Sequence, residues 1–276
     1  MPLPFNLLNS QPTVIEPESQ PTIWPNKYSL FGLLVSAVDY DQAVGCILQA
    51  AKNHEAAIVS CHAVHAVVTL SSDSELREQA NRFAMITPDG QPVRWALNSL
   101  YRTDLHDRVY GPELMWRVLR ECEANEVSVY LYGGSERTLA KLHTNVQDAF
   151  PQLKIAGCKS PPYRELTKDE LINIADEING SGAEIVFIGL GCPKQDKFAA
   201  SQATRIRGIQ ICVGAAFDFH AKVKPTAPAW MQRYGLEWAF RLACEPRRLF
   251  NRYLTTNSIF VYRFVQAIFG KAWNQS

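Results

Sequence analysis

The stretch Glu184-Ile-Val-Phe-Ile-Gly-Leu-Gly-Cys-Pro-Lys-Gln-Asp196 joins an apolar run to two glycines, a proline and three polar residues. A parallel strand that is covered on both faces has such a continuous apolar pattern. The glycines, Gly189 first, let the backbone turn and approach a bound group closely. Lys194 and Gln195 then begin a helix at the carboxyl edge of the sheet, where the positive end of the helix dipole favours phosphate. The stretch therefore predicts an α/β enzyme that handles a phosphorylated ligand.

Strand and helix patterns alternate on both sides of this stretch, from Lys27 to Gly214. We predict strands at Ala57–Cys61, Ala84–Thr87, Ser128–Tyr132, Leu153–Ala156, Glu184–Ile188 and Ile209–Val213. We predict helices at Asp41–Lys52, Val64–Asn81, Glu113–Ala124, Glu136–Ala149, Lys168–Ile178 and Gln195–Arg205. Alternation at this spacing is typical of right-handed βαβ units. The sequence therefore predicts a Rossmann-like parallel sheet flanked by helices.

The chain divides into three regions by composition. Residues 1–26 contain six of the 16 prolines and little periodic pattern, so we predict a disordered leader. Residues 27–228 carry the alternating pattern and form the predicted Rossmann-like catalytic core. Residues 229–276 follow a linker interrupted by Pro225 and Pro228, and form a basic, aromatic helical appendage.

Charge is unevenly distributed, although the net charge is only +1. From Phe219 onward there are nine Lys and Arg residues against two acids, and no acid follows Pro246. Basic groups beside aromatic and aliphatic side chains suit a helix that lies in an anionic membrane interface. A helical hairpin packed on the sheet domain, with solvated arginines, would give the same pattern. No run of 18 apolar residues exists, so we predict peripheral contact with a membrane rather than a span.

The seven cysteines lie far apart and form no C-x-x-C pair. An odd number of separated cysteines favours reduced thiols in a cytosolic protein over a disulfide framework. The first residues lack the basic and apolar segments of a signal peptide. We therefore predict a cytoplasmic protein, expect no nucleic-acid partner and leave a homo-oligomer open.

Asp89 leaves the second predicted strand in the stretch Met85-Ile-Thr-Pro-Asp-Gly90. A carboxylate at a strand end can accept a proton from a substrate hydroxyl as a general base. Asp-Gly is also a frequent turn signature, in which the side chain caps the turn or a helix. Both interpretations remain open on these residues alone.

Three further strand exits carry residues that suit ligand binding. Ser60 and His62 can bind substrate hydroxyls or a phosphate, or they can serve as a helix cap and a structural histidine. Gly133 and Gly134 can expose N–H groups to a diphosphate, or they can allow close packing. Asp218 can accept a hydrogen bond from a base or ribose, or it can cap a helix.

Asp39 and Asp41 have the D-x-D spacing with which many sugar-nucleotide enzymes hold a divalent cation. They also stand at the start of the first long helix, where aspartates cap and stabilise the N-terminus. We prefer the capping interpretation, and therefore predict a site without metal and without another cofactor.

Six segments taken together resemble the WecG/TagA/CpsF family of bacterial glycosyltransferases (glycosyltransferase family 26). The resemblance covers about Lys27 to Leu254, and its motifs occur in the family's order. The segments are Thr87-Pro-Asp-Gly90, Arg108-Val-Tyr-Gly-Pro112, Tyr132-Gly-Gly134, Gly189-Leu-Gly-Cys-Pro-Lys-Gln-Asp196, Val213-Gly-Ala-Ala-Phe-Asp218, and Leu236-Glu-Trp238 with Glu245-Pro-Arg-Arg-Leu249.

The resemblance implies an inverting glycosyltransferase of the hexosyl or N-acetylhexosaminyl type. It implies transfer from a UDP-sugar to a polyprenyl-diphosphate-linked sugar, in the synthesis of a cell-surface polysaccharide or teichoic-acid-type glycan. It also implies a Rossmann-like core and a C-terminal appendage that completes the site at the inner face of the cell membrane.

The resemblance assigns roles to residues of this chain as well. Asp89 matches the proposed catalytic base, and Gln195 matches a glutamine that contacts substrate. Gly133 and Gly134 would approach the nucleotide diphosphate. The residues that match the family's substrate-binding arginines are Arg108 in the core, and Arg241, Arg248 and Arg252 in the appendage.

One departure from the family concerns the first strand exit, where relatives usually have Thr-x-Asn and this chain has Ser60 and His62. We therefore assign neither the donor sugar nor the acceptor from the sequence.

Two other functions suit the same fold. An NAD(P)-dependent sugar-nucleotide oxidoreductase would need a G-x-G-x-x-G motif, which is absent after the first strand. A non-enzymatic membrane adaptor would bind UDP and lipid without releasing UDP from a donor.

Overall fold

The computed structural model describes residues 20–273, and a six-stranded parallel sheet forms its centre. A two-stranded antiparallel hairpin precedes this sheet. The strands are β1 (Lys27–Leu30), β2 (Leu33–Ser36), β3 (Ala57–His62), β4 (Met85–Pro88), β5 (Val129–Gly133), β6 (Ile155–Lys159), β7 (Ile185–Gly189) and β8 (Ile209–Cys212). The order across the main sheet is β4-β3-β8-β7-β5-β6. All carboxyl ends therefore lie at one edge.

Helices cover both faces of this sheet and continue beyond it. Those of the core are α1 (Tyr40–Lys52), α2 (Val64–Ser72), α3 (Ser74–Asn81), α4 (Gln91–Tyr101), α5 (Gly111–Ala124), α6 (Glu136–Ala149), α7 (Lys168–Gly180), α8 (Lys194–Gln202) and α9 (Ala216–His220). The appendage contains α10 (Ala229–Arg233), α11 (Glu237–Cys244) and α12 (Pro246–Trp273). The predicted Rossmann-like class, with a helical C-terminal part, is confirmed.

The apolar run of β7 is buried on both sides of the sheet. Ile185 and Phe187 belong to the hydrophobic cluster on one face of the sheet, which we call the first hydrophobic cluster. Val186 and Ile188 belong to the second hydrophobic cluster, on the other face. Successive side chains of a strand point to opposite faces, so a run without polar interruption fits a strand covered twice. All four residues are fully buried, as the pattern predicts.

Two predicted elements differ from the structure, and some elements of the structure were not predicted. The predicted helix Val64–Asn81 is two helices, because the Asp73 side chain accepts hydrogen bonds from two backbone N–H groups and caps α3. The sixth strand begins two residues later than predicted and ends at Lys159. The hairpin, α4 and α9 were not among the predicted elements.

The structure describes the N-terminal region only from residue 20 onward, so the leader predicted for residues 1–26 lies mostly outside the described residues. Residues 20–26 run along the core, in contrast to the disorder predicted for the whole leader. The Thr22 N–H donates to the Glu55 carboxylate at 2.9 Å, and Trp24 packs against the first hydrophobic cluster. The packing of the partly buried Trp24 ring against the core offsets the entropy cost of ordering these residues.

The appendage packs against the core through α12, which lies on α2. Arg263 donates to the hydroxyls of Ser71 and Ser72 at 2.7 and 3.0 Å. Phe260 is buried in the second hydrophobic cluster, with its ring 5.3 Å from that of Phe31. Part of the appendage is therefore a structural component of the core. None of the helices within residues 20–273 is both long and apolar enough for a membrane span.

Candidate active site

The carboxyl ends of β3, β4, β5, β7 and β8 border one cleft of about 720 Å³, which α11 and α12 close on another side. This cleft collects residues from strand exits that are far apart in the chain. The predicted site residues that line it are Asp89, Arg108, Gly134, Gly189, Gln195, Asp218, Arg241, Arg248 and Arg252. Asp89 and Gln195 therefore share one cavity, as the predicted mechanism requires.

Asp89 follows β4, and its Oδ2 accepts a hydrogen bond from the Gly111 N–H at 3.0 Å. Burial raises the pKa of the Asp89 carboxyl above its ordinary range. The Arg108 cation and the Gly111 hydrogen bond act in the opposite direction, but burial outweighs them. A carboxylate with a raised pKa takes up a proton more readily, which suits a general base.

A charged network joins the appendage to the core beside Asp89. Glu237, in the first turn of α11, accepts from the Arg108 guanidinium at 2.7 Å and from the Tyr110 hydroxyl at 2.7 Å. Arg241 lies 3.1 Å from the same carboxylate. We did not predict Glu237 as a site residue, although the Leu236-Glu-Trp238 motif contains it. An acid in the first turn of a helix also suits the helix dipole, so its sequence position did not reveal the contact.

The arginines of α11 and α12 bring positive charge into the cleft. Arg248 forms an ion pair with Glu245, whereas Arg252 has no ion pair within the described part of the chain. The Nε atoms of Arg241 and Arg252 are buried and lack a hydrogen-bond partner among the described residues. Burial lowers the pKa of the Arg252 guanidinium, and the neighbouring arginines lower it further. Crowded, partly unpartnered guanidinium groups suit an anionic ligand such as a diphosphate.

Ser60 and His62 lie behind the cleft wall rather than in the cleft. The Ser60 hydroxyl donates to Asp196 Oδ1 at 2.8 Å, and His62 Nε2 lies 2.9 Å from the same oxygen. All three residues are buried. The predicted contact of Ser60 and His62 with substrate is therefore corrected, because both side chains are directed to a buried carboxylate.

Asp196 is stabilised by these two partners. Burial alone would raise the pKa of the Asp196 carboxyl, but the charge and hydrogen bond of His62, together with Ser60, outweigh burial and lower it.

We expect His62→Ala to destabilise the fold by about 1–3 kcal/mol, because a buried acceptor loses a partner while Ser60 remains. Urea unfolding measures this change. His143→Ala, at an exposed position of α6, is the matched control. Unchanged stability of His62→Ala would contradict the structural role.

The glycines at the ends of β5 and β7 are explained by close packing. A Cβ at Gly133 would lie 2.7 Å from the Gly189 backbone, and a Cβ at Gly189 would lie 2.6 Å from the Phe217 ring. The Gly134 N–H donates to the Gly189 carbonyl at 3.1 Å, so this N–H is not available to a diphosphate. Gly133 itself and the exposed Lys194 do not line the cleft.

Two more predicted residues have protein partners at the cleft. Asp218 Oδ2 lies 2.8 Å from Lys224 Nζ, a lysine that also lines the cleft and was not predicted. The side-chain Oε1 of Gln195 accepts from the Gly191 N–H at 3.1 Å. These contacts hold both side chains at the rim of the cavity.

The D-x-D pair lies at the start of α1. Asp39 caps this helix by accepting from the Gln42 N–H at 2.8 Å, and Asp41 lies 3.4 Å from Arg117. The capping interpretation is confirmed. Within residues 20–273 no group of three or more His, Cys, Asp or Glu side chains is arranged to hold a metal ion. Metal independence stays a prediction. The seven cysteines are all free thiols, as predicted.

The sheet and its cleft define an α/β protein of the Rossmann-like class, with a carboxylate and several arginines at the carboxyl edge. The profile described as "Glycosyl transferase WecG/TagA/CpsF family" matches residues 28–274. The chain belongs to this family and is a glycosyltransferase. This membership decides against the oxidoreductase and the non-enzymatic adaptor.

Two relatives carry the same name, N-acetylglucosaminyldiphosphoundecaprenol N-acetyl-beta-D-mannosaminyltransferase. The protein of Bacillus subtilis (strain 168) is 26% identical over 222 residues, which cover 78% of this chain and 80% of the relative. The protein of Bacillus spizizenii (strain W23) is 28% identical over 164 residues, which cover 59% of this chain and 62% of the relative.

Proposed function

We propose that this glycosyltransferase moves a sugar from a UDP-sugar to a polyprenyl-diphosphate-linked sugar, with inversion at the anomeric carbon. The acceptor class is supported by the two relatives, whose names specify transfer onto N-acetylglucosaminyldiphosphoundecaprenol. The observation that carries the proposal is the cleft itself, in which Asp89 shares a cavity with the arginines of the appendage. The product would enter a cell-surface polysaccharide or teichoic-acid-type glycan.

In this proposal Asp89 accepts the proton of the acceptor hydroxyl while that oxygen attacks the anomeric carbon from the face opposite UDP. Negative charge then grows on the departing diphosphate. Donors that are already in place and strengthen with this charge lower the barrier. Arg252 and Arg241 suit the role because their guanidinium groups can bind phosphate oxygens in a bidentate manner. No step requires a metal ion.

A membrane-bound acceptor requires that the cleft reach a lipid surface. Among the exposed apolar side chains of α12, five recur at helical spacing along one side of the helix, next to the face that carries the buried Leu249 and Phe260. We call them the outer stripe: Phe250, Leu254, Val261, Val265 and Ile268. Exposed apolar stripes of this kind, beside basic residues, bind membrane interfaces. We propose that the outer stripe holds the enzyme at the inner face of the cell membrane.

A screen of UDP-sugars against a short-chain polyprenyl-diphosphate N-acetylglucosamine tests the proposed function. UDP-N-acetylmannosamine is the first donor to try, because of the names of the relatives. We expect UDP release together with a disaccharide lipid detected by mass spectrometry. If the protein binds UDP but releases none from any of the UDP-sugars, the proposed donor class is rejected.

Arg252→Gln is expected to weaken the binding of UDP by about 10- to 100-fold. The physical reason is the loss of one charge-assisted hydrogen bond to phosphate, worth about 1.5–3 kcal/mol, from a guanidinium without an ion pair among the described residues. Calorimetric titration with UDP measures the change. Arg120→Gln, an exposed arginine of α5, is the control. Equal affinities of the two variants would place the diphosphate elsewhere.

A further inference from the structure

Glu237 is a buried acid for which the proposed reaction has no direct use. Its side chain is 9% exposed, and both carboxylate oxygens are engaged. Oε2 accepts from Arg108, while Oε1 accepts from the Tyr110 hydroxyl and lies near Arg241. A carboxylate held by two cations and a hydroxyl is well compensated for its loss of water.

The contacts of Glu237 connect the appendage to the loop that serves Asp89. Arg108 and Tyr110 lie three residues and one residue before Gly111, whose N–H is the hydrogen-bond donor to Asp89. Glu237 and Arg241 are one turn apart on α11. Docking of α11 therefore determines where this loop places the donor, and how far two arginines lie from Asp89.

The charged groups around Asp89 shift the pKa of its carboxyl in opposite directions. Arg108 and Arg241 lower the pKa of the Asp89 carboxyl, whereas Glu237 raises it and so adds to the larger effect of burial. Among the described residues, the titratable groups with a clear electrostatic interaction with Asp89 include Arg108 and Tyr110 from the loop, Glu237 and Arg241 from α11, Tyr40 from α1 and Cys61 from β3. Glu237 is the carboxylate among them.

We propose that Glu237 is a positioning residue for sugar transfer, which fixes Arg108 and Arg241 beside Asp89 and opposes their charge there. The inference rests on the proposed function, since it takes Asp89 as the general base. Glu237 itself touches neither the reacting hydroxyl nor the anomeric carbon in this proposal. It acts through the two arginines and through the loop that ends at Gly111.

The first test is the pH dependence of kcat/KM for Glu237→Gln, which keeps the shape of the side chain and removes its charge. We expect turnover to fall by about 10- to 100-fold through misplacement. We also expect the acidic limb of the pH profile to move to lower pH. The pKa of Asp89 falls when the Glu237 carboxylate, which raises it, is replaced by a neutral amide. Glu245→Gln, an appendage acid paired with Arg248, should leave the limb in place. An unshifted limb in Glu237→Gln would overturn the proposal.

A second test needs no turnover, so it separates failure of this inference from failure of the proposed function. Because the folded pKa of Asp89 is raised, its ionisation costs stability once the pH rises above the ordinary value, and Asp89→Asn removes this cost. We expect Asp89→Asn to stabilise the wild type at neutral pH more than it stabilises Glu237→Gln. Thermal unfolding of the four proteins gives this double-mutant cycle. Equal increments in both backgrounds would overturn the coupling, whatever the substrate is.

Discussion

Asp89→Asn is expected to lower kcat by about 10² to 10⁴-fold, because asparagine cannot accept the proton of the acceptor hydroxyl. The substitution keeps the shape of the side chain, and its amide oxygen can still accept from the Gly111 N–H. UDP affinity should therefore change little. The variant should also unfold at the same or a higher temperature, since the raised pKa of Asp89 means that its buried charge costs stability at neutral pH.

The pH dependence gives an independent readout of the same residue. In the wild type, kcat/KM should fall as the pH decreases through the pKa of Asp89, which lies above the ordinary value of about 3.9. Asp89→Asn should lack this limb. Asp148→Asn, at an exposed position of α6, controls for the chemical change itself. Near-normal turnover in Asp89→Asn would remove Asp89 from the mechanism.

The double substitution Leu254→Gln and Val265→Gln is expected to lower affinity for anionic vesicles by about 10²-fold. Both side chains belong to the outer stripe, and they are 60% and 43% exposed. Burying a Leu or Val side chain contributes about 1.5–3 kcal/mol when burial is complete. Two partly inserted side chains therefore account for about 3 kcal/mol. Fold stability should change little, because both positions point away from the core.

Sedimentation with vesicles that contain anionic lipids measures this affinity. Ile172→Gln is a matched control, since Ile172 is also apolar and 40% exposed but lies on α7 of the core. The double variant should lose activity on vesicle-embedded acceptor and keep it on a short-chain acceptor in solution. Unchanged sedimentation would refute the membrane role of the outer stripe. Deletion of the whole appendage is a poorer test, because it would uncover the apolar surface that Phe260 and Leu249 cover.

Much of the architecture was readable from local pattern. The run Ile185–Ile188 predicted a strand buried on both faces, and the structure confirms it. Asp39 was correctly interpreted as a helix cap. Its side chain accepts from the N–H of Gln42, only three residues further along, so the local sequence is enough to predict this contact. The packing of Trp24 against the core was not predicted, since the surface that it contacts is formed by distant parts of the chain.

The candidate site was predictable only where a strand end by itself positions a residue. Asp89 and Gln195 follow strands of one parallel sheet, so their common edge follows from topology. The orientation of His62 does not, because its partner Asp196 lies 134 residues further along the chain. A histidine at a strand exit has the same local sequence whether its side chain enters the cleft or pairs with a buried acid.

The sequence by itself determined the βαβ order, the carboxyl edge that carries the cleft and the excess of positive charge in the last quarter of the chain. These features depend on periodicity and composition, which neighbouring residues express directly. Only the tertiary structure decided that Glu237 meets Arg108, 129 residues away, and that Arg252 enters the cleft while Arg263 binds α2. Such contacts depend on how α11 and α12 dock on the sheet domain, and docking is set by the shape of both surfaces together.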